Sequence, residues 1–162
     1  MVNAQGGCLC GNVRYSVNSH PTRVTICHCK FCQRATGSAY LVEPIFDEAN
    51  FFIKSGKAKI YEHLSEGSGK PVYVHFCENC GTKLFLTFGR FLEVVGIYGG
   101  TFDDPNWFDR TAENSKQIFL SVAQNGTVIP AGVNTFQEHA TTTDGTPIEP
   151  IVFSEPQVIK AR

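Results

Sequence analysis

Apolar residues alternate with polar ones along much of this chain, which is the pattern of half-buried β-strands. The clearest alternating runs, each flanked by Gly, Pro or Asn, cover residues 13–17 and 72–76. Further strands are predicted over 39–46, 51–54, 59–64, 83–88, 92–98 and 117–122. The pattern therefore predicts a mostly β protein with very little helix.

One short helix is predicted, over residues 30–36. No Gly or Pro interrupts this piece, and Gly37 follows it at the position where a left-handed residue ends a helix. The polar stretches 66–70 and 141–147 are rich in Gly or Thr and are predicted to be loops. With no internal repeat and no linker in 162 residues, we expect 1–162 to form a single domain.

The charge balance excludes several classes of partner. Fourteen basic and fifteen acidic residues give a formal net charge of -1, without any run of five or more Lys or Arg. Proteins that bind nucleic acid or anionic membranes usually carry a basic segment. No apolar stretch approaches eighteen residues, and no basic, then apolar, leader begins the sequence. We therefore expect a soluble, cytoplasmic protein that binds neither nucleic acid nor membranes, while its oligomeric state stays open.

The seven cysteines are the strongest chemical signal in the sequence. They fall in three tight groups, namely Cys8 and Cys10, then Cys27, Cys29 and Cys32, then Cys77 and Cys80. In a reducing compartment such clusters bind metal or catalyse more often than they form disulfides. An odd number of cysteines also cannot all pair with one another. The spacing therefore predicts metal sites.

Two of the groups are short pairs suited to one closed zinc site. Cys8 and Cys10 form the first pair, Cys77 and Cys80 the second, and a Gly directly follows each pair. Zinc prefers four thiolates in structural sites, and a Gly permits the tight turn that such a pair of ligands needs. Four ligands leave no open position, so this zinc would contribute folding energy rather than chemistry. The alternative is two pairs of buried or incidental cysteines.

The middle group predicts a different kind of site. Cys27, Cys29 and Cys32 offer three thiolates within six residues. Three protein ligands leave the fourth tetrahedral position free for water or substrate, which is typical of a catalytic zinc. His28 is an alternative fourth ligand, although its place between two ligating neighbours makes simultaneous coordination awkward.

Two cations and one histidine are further candidates for a role near this site. Lys30 and Arg34 lie four residues apart, hence on one face of the predicted helix. They could offset the negative charge of the thiolates or hold a substrate carboxylate, and the alternative is a solvated helix face. His139 lies in a segment that could form a pocket wall, although a structural or exposed role is the simpler interpretation.

Three segments carry all seven cysteines and their spacing: GGCLCGNVRY, CHCKFCQRATGSAY and FCENCGTKLF. They resemble the signature segments of the glutathione-dependent formaldehyde-activating enzyme family. The resemblance covers about residues 6–110, including Asp104, Pro105, Trp107 and Phe108. After it, the chain lacks the His-Ile pair that many members show. The same segments also resemble a domain of centromere protein V.

The resemblance implies a mostly β, zinc-stapled fold of the kind called a β-tent. It also implies two zinc ions per chain, a structural one on Cys8, Cys10, Cys77 and Cys80 and a catalytic one on Cys27, Cys29 and Cys32. The family's reaction adds the glutathione thiol to formaldehyde to give S-hydroxymethylglutathione, and it is grouped with the carbon–sulfur lyases. Zinc could bind the substrate sulfur or polarise the carbonyl, and both roles stay open.

Two functions are therefore expected from the sequence. The first is a zinc-dependent carbon–sulfur lyase that acts on a small thiol such as glutathione, or on its adduct with an aldehyde such as formaldehyde. The second is a non-catalytic zinc domain that binds a protein partner or serves as a scaffold.

Overall fold

The computed structural model of the protein describes residues 2–160. Strand makes up 39% of it and helix 10%, which confirms the predicted mostly β fold class. The strands are β1 (Ala4–Gly7), β2 (Arg14–Val17), β3 (Arg23–Cys27), β4 (Leu41–Asp47), β5 (Phe51–Ser55), β6 (Lys59–Leu64), β7 (Pro71–Phe76), β8 (Lys83–Phe88), β9 (Val94–Ile97), β10 (Ser115–Ile118), β11 (Val128–Ile129), β12 (Asn134–Thr135), β13 (Ile151–Val152) and β14 (Gln157–Val158). The helices are α1 (Lys30–Thr36) and three single 3₁₀ turns, Glu48–Asn50, Gly99–Thr101 and Leu120–Val122.

Helix α1 has the predicted bounds, and local chemistry explains both ends. The Cys29 Sγ accepts a hydrogen bond from the Cys32 amide at 3.3 Å and so caps the first turn. Gly37 has a φ of 68°, and its N–H donates to the Gln33 carbonyl at 2.8 Å. This left-handed glycine ends the helix as predicted.

The chain divides into two compact units, each built from two separate stretches of sequence. Among the described residues, unit 1 comprises 2–22 and 43–109, and unit 2 comprises 23–42 and 110–160. Unit 1 contains a three-stranded antiparallel sheet in the order β1-β2-β5. It also contains the antiparallel run β4-β9-β8-β7-β6. The strands over 59–64 and 83–88 have the predicted bounds.

An aromatic cluster forms much of the core of unit 1. The Phe102 ring lies 5.4 Å from Tyr15, 6.2 Å from Phe46 and 5.3 Å from Trp107, measured between ring centroids. Tyr15 is fully buried, and its hydroxyl forms a 2.8 Å hydrogen bond with the Thr101 hydroxyl. Burial raises the pKa of Tyr15 well above its usual value, so this phenol stays protonated.

Unit 2 contains parallel strands. β10 runs parallel to both β3 and β12, and β12 pairs antiparallel with β13. β11 and β14 form a separate antiparallel pair. The core residues of this unit include Val24, Ile26, Leu41, Ile118, Leu120, Ile129, Val133 and Phe136.

The predicted strand over 117–122 is partly wrong. Strand β10 ends at Ile118, because Phe119 adopts a left-handed conformation with φ 63° and ψ 44°. The Phe119 N–H donates to the Glu138 carbonyl at 3.0 Å, and the 3₁₀ turn Leu120–Val122 follows. A left-handed residue cannot continue an extended strand, so the chain turns here. No strand was predicted at the positions of β1, β3 or β11 to β14.

Gly6 in β1 marks a close approach that a larger residue would disturb. A Cβ at this position would meet the Tyr15 hydroxyl and would lie 2.5 Å from the Thr101 carbonyl oxygen. We predict that Gly6→Ala destabilises the protein by about 1–3 kcal/mol, because the buried Tyr15–Thr101 contact must shift. Chemical denaturation measures the change. The control is Gly67→Ala, where a Cβ meets open space, and equal stability of the two variants would contradict the prediction.

Candidate metal centres

Unit 1 brings together the four sulfurs of the predicted closed site. The Sγ atoms of Cys8, Cys10, Cys77 and Cys80 all lie within 4.8 Å of one another. Cys8 and Cys10 sulfurs are 3.5 Å apart, and those of Cys10 and Cys77 are 3.7 Å apart. The soft sulfur donors in this group fit the preference of zinc for four thiolates. The group could therefore hold one metal ion.

Two similar turns place these sulfurs. In the first, the Gly11 N–H donates to the Cys8 carbonyl at 3.0 Å, and the Val13 N–H donates to the Cys8 Sγ at 3.2 Å. In the second, the Gly81 N–H donates to the Cys77 carbonyl at 2.8 Å. Gly11 and Gly81 have φ values of 74° and 73°. The glycine after each cysteine pair thus supplies the left-handed residue that closes its turn.

Thr82 joins the two turns and was missed in the sequence. Its hydroxyl oxygen accepts the Leu9 N–H at 3.2 Å and lies 3.2 Å from the Cys80 Sγ. Hydrogen bonding from this hydroxyl is the main reason that the pKa of Cys80 falls to about 5. No spacing rule selects a threonine for this role, although its position two residues after Cys80 places it in the same turn.

Unit 2 brings together the other three sulfurs. Cys27 ends β3, Cys29 caps helix α1, and Cys32 lies in the first turn of that helix. Their Sγ atoms all lie within 4.8 Å of one another. Cys27 and Cys32 are buried, whereas Cys29 is half-buried. This group could hold a second metal ion, and its ligand count differs from that of the first group.

Hydrogen bonding within this group selects which thiol ionises first. Hydrogen bonds from Cys27 and then from Cys32 lower the pKa of Cys29 to about 3. Hydrogen bonding to Cys29 raises the pKa of Cys27, and hydrogen bonding to Cys27 and Cys29 raises that of Cys32. Hydrogen bonding thus favours the thiolate form of Cys29, which is also the most exposed residue of the three.

His28 is placed away from the ligand role that the sequence left open. It is fully buried, and it is not part of either group of metal-capable atoms found among residues 2–160. Its Nε2 lies 2.7 Å from the Gln117 Oε1. An amide oxygen only accepts hydrogen bonds, so Nε2 carries the proton and donates it. Burial lowers the pKa of His28, which favours this neutral form.

The remaining candidates lie in unit 2 without joining a metal-capable group. Lys30 and Arg34 are exposed on α1, four residues apart, which places them on one face as predicted. His139 is half-buried, and its Nδ1 accepts the Thr141 N–H at 3.2 Å. The His139 ring lies 6.2 Å from the ring of Phe119.

In the described part of the chain, no helix is long and apolar enough to span a membrane.

The sequence also matches a known protein family. The profile of the family described as glutathione-dependent formaldehyde-activating enzyme matches residues 3–121. The chain belongs to this family, as its cysteine segments indicate.

One relative and one solved structure illustrate the similarity. A Halomonas elongata protein named "Putative glutathione-dependent formaldehyde-activating enzyme" is 28% identical over 102 residues, which are 61% of this chain. The match spans 65% of that relative's length. A crystal structure of a Rhodobacter sphaeroides protein is similar in fold, with a TM-score of 0.50 and 18% identity, over 61% of this chain and 87% of the other.

The two clusters are expected to respond differently to loss of one sulfur. We predict that Cys80→Ser abolishes soluble, cooperatively folding protein, because a structural zinc contributes folding free energy directly. Thermal unfolding followed by circular dichroism measures this. Wild-type thermal stability in Cys80→Ser would contradict a structural role for the four-cysteine group.

The matched variant is Cys29→Ser in the three-cysteine group. Serine is a strongly preferred N-cap residue, so the start of α1 is preserved when its oxygen replaces the Cys29 sulfur. We therefore predict that Cys29→Ser folds normally while it loses metal at this group. Loss of cooperative folding in Cys29→Ser would contradict the prediction, because the three-cysteine group would then also be needed for folding.

Proposed function

We propose that this protein is a zinc-dependent enzyme that adds the thiol of glutathione to formaldehyde, a reaction of the carbon–sulfur lyase type. The observation that carries the proposal is the three-sulfur group of unit 2. Cys27, Cys29 and Cys32 lie within 4.8 Å of one another, while the neighbouring His28 is held by Gln117. Three protein ligands leave one tetrahedral position for a substrate.

The reaction balances without any further reactant. A carbon–sulfur bond forms between the glutathione sulfur and the formaldehyde carbon, and the carbonyl π bond breaks. The thiol proton ends on the former carbonyl oxygen, so S-hydroxymethylglutathione is the product and nothing is oxidised or reduced. Zinc, when bound, supplies Lewis acidity and a position that favours a thiolate over a thiol.

The residues of unit 2 support this chemistry in distinct ways. Cys29 is half-buried whereas Cys27 and Cys32 are buried, so a substrate would approach the group on the side of Cys29. Lys30 and Arg34 are exposed on the helix that carries Cys32. Glutathione carries two carboxylates, and cations on this face would attract them.

The four-cysteine group of unit 1 is assigned a structural zinc. Four sulfurs lie within 4.8 Å of one another, and four thiolate ligands would leave a tetrahedral zinc no position for a substrate. Two of them follow β1 and two follow β7, and one ion would therefore join segments about seventy residues apart.

A reducing compartment suits this assignment. All seven cysteines are free thiols in the structure. Reducing conditions keep such thiols available as metal ligands, so we propose that the protein acts in the cytoplasm.

The test follows both turnover and thiol binding. We predict that the zinc-loaded protein accelerates formation of S-hydroxymethylglutathione above the spontaneous rate, measured by exchange NMR with glutathione and formaldehyde. In Cys29→Ser, the rate should fall to the spontaneous one. No acceleration by wild-type protein that holds two zinc ions would contradict the proposal.

The cobalt-substituted protein separates the enzyme from a scaffold. Thiolate coordination gives cobalt strong charge-transfer bands, and added glutathione should change those bands in wild-type protein but not in Cys29→Ser. Unchanged bands in both proteins would favour a non-catalytic zinc domain, because both sites would then be closed to external thiols.

A further inference from the structure

His28 is held through its backbone N–H, its carbonyl and its Nε2, although it is not placed as a ligand. It lies between Cys27 and Cys29 in sequence and is fully buried. The backbone N–H of His28 donates to the Ile118 carbonyl at 3.0 Å. Because His28 is joined by peptide bonds to both cysteines, any restraint on its backbone also restrains where their side chains start.

Gln117 holds the ring of His28. The Nε2–H donates to the Gln117 Oε1 at 2.7 Å, and both side chains are buried. The Tyr40 ring packs against the imidazole at 5.2 Å between centroids. Turning the ring to present Nε2 elsewhere would break this buried hydrogen bond, which is costly because a buried donor and a buried acceptor would be left unpaired.

Gln33 holds the backbone of His28 from the other side. Its Nε2 donates to the His28 carbonyl at 2.6 Å and to the Val122 carbonyl at 2.9 Å. Its Oε1 accepts the Gln124 Nε2 at 2.9 Å. Both amide hydrogens and the amide oxygen of Gln33 are therefore used. Gln33 directly follows Cys32 in α1, so these bonds tie the start of the helix to the turn at 120–122.

We propose that Gln33 and Gln117 are positioning residues that hold the three-cysteine group at metal-binding spacing. The proposal deepens the proposed function, on which it rests for the role of the bound metal. Groups that orient metal ligands without touching the metal typically change affinity 10–100-fold when they are mutated. Gln117 also keeps the imidazole engaged, so that the fourth position stays free for an external thiol.

The test measures metal affinity in the full-length protein, with cobalt(II) alone as the probe. Gln33→Met and Gln117→Met keep the approximate shape of the side chain and remove its hydrogen bonds. The matched control is Gln157→Met, because Gln157 is exposed in β14 and its side chain donates to the Glu155 carbonyl at 3.1 Å. Anaerobic titration against a competing chelator should resolve two binding steps, and Cys29→Ser identifies the step of the three-cysteine group by its loss.

We expect the affinity of that step to fall 10–100-fold in Gln33→Met and in Gln117→Met, and to be unchanged in Gln157→Met. The step of the four-cysteine group should keep its wild-type affinity in all three variants, which also reports that they are folded. Unchanged affinity at the three-cysteine group would overturn the proposal. Loss of both steps together would also overturn it, since the glutamines would then support the whole fold rather than one site.

This readout is independent of turnover. If the wild-type protein binds two metal ions but does not act on glutathione and formaldehyde, the proposed function fails while the positioning role of the glutamines is still measured. If turnover is found and the glutamine variants bind metal normally, the proposed function stands and the positioning role of the glutamines fails.

Discussion

Repulsion between neighbouring sulfur charges is the constraint on which the arrangement of both clusters depends. Two thiolates about 4 Å apart repel each other by roughly 4 kcal/mol at an effective dielectric constant near 20. The chain gathers four sulfurs in one group and three in the other, each within 4.8 Å. Hydrogen bonds offset part of this repulsion. In unit 1 Thr82 bonds to Cys80, and in unit 2 the thiols bond to one another. A bound cation would offset the remaining repulsion. A close group of cysteines without disulfides therefore indicates a metal site.

The sequence predicted those parts of the structure that depend on local chemistry. Helix α1 has the predicted bounds because its cap, its composition and Gly37 all lie within nine residues. The grouping of the cysteines was also predictable, since the pairs are short and each is followed by Gly. Strand β3 was missed although Arg23 to Ile26 alternate between polar and apolar residues, and the structure buries all but the first of its five positions. The strands of two residues in the C-terminal part are too short for any periodic pattern.

The contacts that hold the sites were not predictable from spacing. Thr82, Gln33 and Gln117 act through hydrogen bonds that only the folded chain brings together, the longest spanning 91 positions in sequence. The left-handed Phe119, which ends β10, is likewise held from a distance by the Glu138 carbonyl. The family match ends at residue 121, so Glu138 belongs to sequence outside it. In this chain, the segment after the family match thus supports the turn to which Gln33 binds.

The central claim is that seven cysteines divide into a four-sulfur and a three-sulfur metal site. The most direct measurement is the zinc content of protein purified without chelator, combined with a count of thiols on the denatured, unreduced chain. We predict close to two zinc ions and seven free thiols per chain. One zinc ion in protein given excess zinc, or fewer than seven thiols because of disulfides, would contradict it.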